Sequence, residues 1–216
     1  KVISVEVSQA IRERRSIRKF NEEPVPRDLL NEILKAATLA PSGKNKQPWK
    51  FFVVQGERRS EMIQAMQKGM DRLTRMGIKT GSAKYTLRVM ENAPVTIFVF
   101  NPTSKQPLLE RNTAEVYADI VDIQSIGAAI QNMLLRAVDL GLGTLWICDV
   151  FFSYEEICEW LGEKGQMIAA VSVGYPDASP QARPRKPLEA VTEFLDWPWG
   201  LRVVDRGFLK NCRVLS

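Results

Sequence analysis

Residues 27–55 read RDLLNEILKAATLAPSGKNKQPWKFFVVQ, and this stretch decides the class of fold. Leu29, Leu30, Ile33, Leu34 and Ala37 recur at helical spacing, which predicts an amphipathic helix over 27–40. Pro41 and Gly43 stop it. Phe51, Phe52, Val53 and Val54, bounded by Pro48 and Gly56, predict a short buried strand over 50–55. A helix and a strand are thus joined by a turn-rich loop dense in hydrogen-bonding side chains, and loops of that kind commonly carry binding residues.

Outward from there, helices and strands alternate and helices dominate. Ser8 reads as the N-cap of a helix running to about Arg15, and 16–26, with two prolines, as extended chain. Residues 57–76 predict a polar helix rich in Met and charge, whose loose pattern suggests a mobile or surface element. Strands are expected at 94–100, 144–147 and 167–175. The longest helix spans 113–140, with Ile120, Ile123, Gly127, Ile130, Leu134 and Ala137 stepping by three and four. Its second half is apolar nearly all round, so it is buried in the core or in a subunit interface. Ser153 with Glu156 predicts a capping box opening a short helix. Residues 176–187 are extended and basic, and the aromatic tail 188–216 packs against something. The expected fold is α+β, a helix-rich sandwich around one sheet, in a single domain over 1–216.

Composition narrows the chemistry. There is no histidine, which excludes Ser-His-Asp and Cys-His nucleophile systems and HExxH metal sites. The three cysteines, Cys148, Cys158 and Cys212, have no CxxC spacing; no metal site and no disulfide framework are expected. No apolar run approaches a membrane span and no signal-peptide stretch is seen, so a cytoplasmic protein without membrane association is expected. Any enzyme chemistry here falls to a cofactor or to carboxylates. The net charge of +5 fits either a solvated basic surface or a grip for phosphorylated small molecules.

Four clusters could carry that chemistry. Arg14, Ser16 and Arg18 alternate, so in extended chain they project to one side as a phosphate grip; a solvated helix end would use the same residues. The loop 41–49 contains Ser42-Gly43-Lys44 but lacks the GxxxxGK[ST] pattern and no strand precedes it, so it is not a P-loop. Gly141-Leu142-Gly143 feeds a strand rather than a helix, which does not support a Rossmann site; a helix stop plus core strand serves as well. Cys148 reads as a packed thiol. Arg183 and Arg185, held extended by Pro184 and Pro187, form a second phosphate grip or a basic linker.

In order along the chain, these motifs resemble the nitroreductase family of flavoproteins. Its R-R-S-x-R-x-F pattern is met by residues 14–20, its A-P-S-x-x-N-x-Q-P-W pattern by 40–49 in full, its G-L-G strand entry by 141–143, and its R-K-P-L ending by 185–188. The resemblance implies an intertwined homodimer around a mixed or antiparallel sheet, with FMN in the interface and residues 188–216 packed on the partner. It implies that Arg14, Arg15, Ser16 and Arg18 hold the FMN phosphate, ribityl side and N1/C2 edge, and that Arg183 and Arg185 complete the phosphate site. Pro41, Ser42, Gly43 and Asn45 of the partner subunit would touch the ring, and backbone around Trp146, Ile147 and Cys148 would face it near N5. Arg88 stands where some members place a lysine, although Tyr85 departs from the asparagine seen beside it.

The activity so implied is ping-pong transfer of hydride from NADH or NADPH through the flavin to an electron-poor acceptor such as a nitroaromatic or quinone, with the cofactor carrying the chemistry. Reductive dehalogenation of a halogenated phenol, as in the family's deiodinase branch, is the runner-up, with 57–90 as a candidate lid. A non-catalytic basic module for nucleic acid or phosphorylated ligands is the alternative outside enzymology; the family reading expects no nucleic-acid partner.

Overall fold

The computed structural model describes residues 6–195. Ten elements follow in chain order: α1 (Val7–Glu13), α2 (Arg27–Thr38), β1 (Lys50–Gln55), α3 (Arg58–Arg75), α4 (Ala83–Asn92), β2 (Val95–Asn101), α5 (Thr113–Asp139), β3 (Gly143–Ile147), α6 (Tyr154–Leu161) and β4 (Gln166–Gly174). The chain divides into two units, 1–181 and 182–216. The first holds all ten elements. The second, where described, is exposed and contains a 3-10 turn at Leu188–Ala190. The rest of the tail, with Trp197, Trp199, Phe208 and Cys212, lies outside the described residues, as does the packing expected of it.

The strands form one antiparallel sheet in the order β1-β2-β4-β3. β2 is buried along its whole length, which explains its unbroken apolar run. Its alternate residues serve opposite faces. Phe98 and Phe100 point into a core with Met62, Met66, Met70, Met90 and Ile157 from α3, α4 and α6. Ile97 and Val99 point into a second core with Ile33, Ile126, Ile130 and Met133 from α2 and α5. Two helical layers therefore enclose the sheet, as the sequence predicts.

Several local readings are corrected. β1 is an edge strand in which only Val54 is buried, because no strand among the described residues pairs with its outer side. α3 is not a loose surface element: Met62, Met66 and Met70 form a buried stripe at four-residue spacing, and Gly69 lets it close onto Ser153, whose Cα would lie 2.5 Å from an added Cβ. Ser153 makes no capping bond; its hydroxyl donates 2.6 Å to the Met66 carbonyl instead. The capping box present is at Asn112 and Glu115, opening α5. Ser8 is no cap either, since α1 begins after Glu6. The second half of α5 is buried in the core, while its first half exposes Val116, Tyr117, Ile120, Val121 and Ile123. Among the described residues no helix is long and apolar enough to cross a membrane.

Candidate functional site

β3 is the edge of the sheet, and the segment after α1 lies along it. Ser16 bridges Thr144 in parallel, the Ile17 amide donates 2.9 Å to the Thr144 carbonyl, and Phe20 bridges Pro176 antiparallel. This approach needs Gly143: an added Cβ would sit 2.8 Å from Ile17 Cγ1. Because Thr144 turns its carbonyl outward, strand alternation turns the backbone of Trp146 to the same outer edge. The Trp146 side chain is 38% exposed, Ile147 is buried, and Cys148 is exposed. Desolvation by the surrounding protein and the Asp149 carboxylate both push the Cys148 thiol above its ordinary pKa, so it stays protonated at neutral pH and is a poor nucleophile.

The cations collect at this edge. Arg14 and Arg15 are half-buried and Arg18 is exposed. Arg15 Nη1 donates to the carbonyls of Arg12 (2.6 Å) and Arg14 (3.0 Å), and Arg18 Nη1 to that of Ser16 (3.2 Å). These are neutral partners, so the positive charge of Arg15 and Arg18 is not cancelled by a carboxylate among the described residues. α4 is fastened beside the exit of β3: Ser82 Oγ and Thr86 Oγ1 donate to Asp149 Oδ2 at 2.8 and 2.5 Å. Arg88 is exposed on α4, about 9 Å along the axis from Ser82 at a rise of ~1.5 Å per residue.

The loop 41–47 is held elsewhere, on α5. Lys44, Asn45 and Gln47 all have left-handed φ, of 53°, 55° and 50°. Non-glycine residues pay for that conformation, so something must fix it. Lys46 Nζ lies 2.5 Å from Asp122 Oδ2, the Gly43 amide donates to Ser125 Oγ at 3.3 Å, and the Gln47 amide donates to Ser42 Oγ at 3.0 Å. Asp122 is buried and also accepts from Asn101 Nδ2 at 3.1 Å. Gly43 fits tightly, since an added Cβ would stand 2.4 Å from Val121 Cγ1. Pro41 and Asn45 are exposed, and Ser42 and Gly43 are half-buried.

The structure thus brings the segment of Arg14, Arg15, Ser16 and Arg18 onto the β3 edge at Thr144, two residues before Trp146, and holds the loop of Pro41 to Asn45 on α5. Arg183 and Arg185 are exposed in the second unit. Sequence reasoning missed Lys46, Asp122, Ser125 and the Ser82–Thr86–Asp149 contact. A carboxylate inside the apolar run of α5 was the one available signal.

Comparison with known proteins adds the following. The Nitroreductase family model matches residues 11–175. A protein of Archaeoglobus fulgidus, provisionally named an NADH dehydrogenase/NAD(P)H nitroreductase, is 32% identical over 169 residues, covering 76% of this chain and 81% of its own. Iodotyrosine deiodinase 1 of Rattus norvegicus is 28% identical over 151 residues, 66% of this chain, which spans about half (52%) of that protein. Among solved structures, a provisionally assigned nitroreductase of Desulfovibrio desulfuricans in complex with FMN aligns with a TM-score of 0.67 and 28% identity, covering 91% of this chain and 99% of its own.

Proposed function

This chain belongs to the nitroreductase family, and we propose that it is an FMN-dependent oxidoreductase that takes reducing equivalents from NADH or NADPH and passes them to an electron-poor small molecule. The observation that carries this reading is the outer edge of β3, where a segment bearing Arg15 and Arg18, which have no carboxylate partner among the described residues, pairs with the strand at Thr144.

The donor set fits FMN. A phosphate dianion calls for several cations, and Arg14, Arg15 and Arg18 lie within five residues of one another on the segment that carries Ser16. The outward backbone at Trp146 offers an amide to the ring edge, and a guanidinium near N1 stabilises negative charge on the reduced ring. Bound FMN supplies hydride acceptance from NAD(P)H and onward transfer to the acceptor, in two half-reactions. The protein's part is to bind, orient and exclude water. Pro41, Ser42, Gly43 and Asn45 would close the ring from the partner subunit of a homodimer, joined through the exposed apolar face of α5. Arg88 would approach from α4. Nitroaromatics and quinones are the acceptor class we assign; similarity to the rat deiodinase favours halogenated phenols as the second reading.

The test is a visible spectrum of purified protein before and after anaerobic NADH and NADPH. A yellow protein that bleaches with either nucleotide is expected. A colourless protein that takes up no FMN would sink the reading in favour of a basic binding module. Arg18→Ala should purify with less FMN; a fully loaded variant would count against that role.

A further inference from the structure

Asp149 is the first residue beyond Cys148, where the chain leaves β3 for the 3-10 turn Asp149–Ser153. It lies three residues after Trp146, so its Cα stands within about 11 Å of the Trp146 Cα even for fully extended chain. Its carboxylate is half-buried, and Oδ2 accepts from Ser82 Oγ at 2.8 Å and from Thr86 Oγ1 at 2.5 Å. Both donors are neutral, so they hold the group in place and cancel none of its charge. No lysine or arginine pairs with it among the described residues, Lys84 and Arg88 of α4 included. Its neighbour feels the charge: after burial, Asp149 is the second cause that holds the Cys148 thiol above its ordinary pKa. The exit of β3 therefore carries a fixed negative charge, opposite in sign to the arginines on the segment that pairs at Thr144.

We propose that the Asp149 carboxylate lowers the reduction potential of the bound flavin and so makes the reduced ring a stronger donor to the acceptor. The proposal rests on the FMN-oxidoreductase reading. NAD(P)H gives up a hydride and leaves as NAD(P)+, and the ring that takes the hydride gains one negative charge. A guanidinium near N1 favours that charge, and a carboxylate at the end faced by Trp146 to Cys148 opposes it. At about 10 Å and an effective dielectric constant of about 20, the opposition amounts to about tenfold in the equilibrium between oxidised and reduced ring, or about 30 mV for a two-electron couple. Reduction by the nucleotide loses that much driving force, and transfer to the acceptor gains it.

Asp149→Asn keeps the shape and an oxygen for both hydroxyls while removing the charge. Anaerobic equilibration of the holoenzyme with reference dyes measures the potential, and maleimide labelling of Cys148, located by mass spectrometry, reports the local charge. Relative to the wild type, Asp149→Asn should raise the potential by the equivalent of about tenfold in the equilibrium constant and should label faster at Cys148. Asp149→Ser should do the same with a smaller neutral side chain, and Asp149→Glu should restore the wild-type potential. Thr86→Val, which loses one donor and keeps the charge, should melt at a lower temperature with its potential unchanged. A potential unmoved in Asp149→Asn and Asp149→Ser would overturn the proposal. So would a potential that Thr86→Val moves as far, because the hold on α4 rather than the charge would then set it. A protein that takes up no FMN overturns the flavin reading and the proposal with it, whereas a flavoprotein whose potential ignores the loss of this charge overturns the proposal alone.

Discussion

Asp122 has the most concentrated set of contacts near the candidate site. It is buried in α5, meets the Lys46 ammonium and the Asn101 amide through one oxygen, and Asn101 in turn accepts from the Thr103 amide and hydroxyl at 3.1 and 2.8 Å. Replacing the carboxylate by an amide keeps the shape, removes the charge and sets an N–H against other donors. Asp122→Asn should cost about 1–3 kcal/mol, the scale of a lost charged hydrogen bond, in urea unfolding, and should raise the dissociation constant for FMN as loop 43–47 loses its hold. Unchanged FMN affinity would show that the loop keeps its left-handed turns without this anchor. Little of this was legible beforehand. The polar character of 41–49 and the arginines of 14–18 stand in plain sequence. The pairing of Lys46 with a residue 76 positions away is a product of the fold, and spacing carries no trace of it.

Among elements, α3 and α6 are joined by Arg72, which donates to Glu156 at 2.7 Å and also meets Glu155 at 3.4 Å. Burial opposes the charge on Glu156, but the Arg72 hydrogen bond and charge prevail and hold its carboxyl below the ordinary value of 4.5. A carboxyl lowered in the folded state adds stability above its unfolded value and loses it as pH falls through the lowered one. The melting temperature of the wild type should therefore drop as pH falls below about 4.5, whereas Glu156→Gln, weaker by about 1–2 kcal/mol at neutral pH, should show a shallower acid limb. Parallel limbs would assign the acid sensitivity to other carboxylates, such as Glu163 beside Lys50. Elements with strong periodicity were read closely: β1 has the expected bounds, and α2 and α5 end within two residues of theirs. α4 was not singled out, although Ala83, Leu87 and Met90 repeat at helical spacing, because Lys84, Arg88 and Glu91 break up the apolar residues along the sequence. The Ser153–Glu156 pattern had the letters of a capping box, but tertiary packing took the serine hydroxyl for the Met66 carbonyl.

For the whole molecule, the exposed row Val116, Tyr117, Ile120, Val121 and Ile123 lies on the same stretch of α5 that holds loop 41–47 through Val121, Asp122 and Ser125. Pairing of two copies through this row would bring each loop to the partner's cofactor, so association and flavin binding should fail together. Ile120→Glu should sediment as a monomer and purify without FMN; a colourless dimer or a yellow monomer would separate the two properties. The apolar content of α5 was evident in the sequence. Which half faces the core was not, because both halves carry enough apolar residues to be covered and only the packing of α2 decides between them. β3 has a related incompleteness. The segment around Ser16 closes its outer side only as far as Thr144, so among the described residues one rim of the sheet is unpaired from Trp146 onward. An open rim is a template for any extended chain that meets it. In a cell short of riboflavin derivatives, newly made copies would then be prone to aggregate through this strand, and the vitamin would act as a solubility factor for the polypeptide before it took part in any turnover.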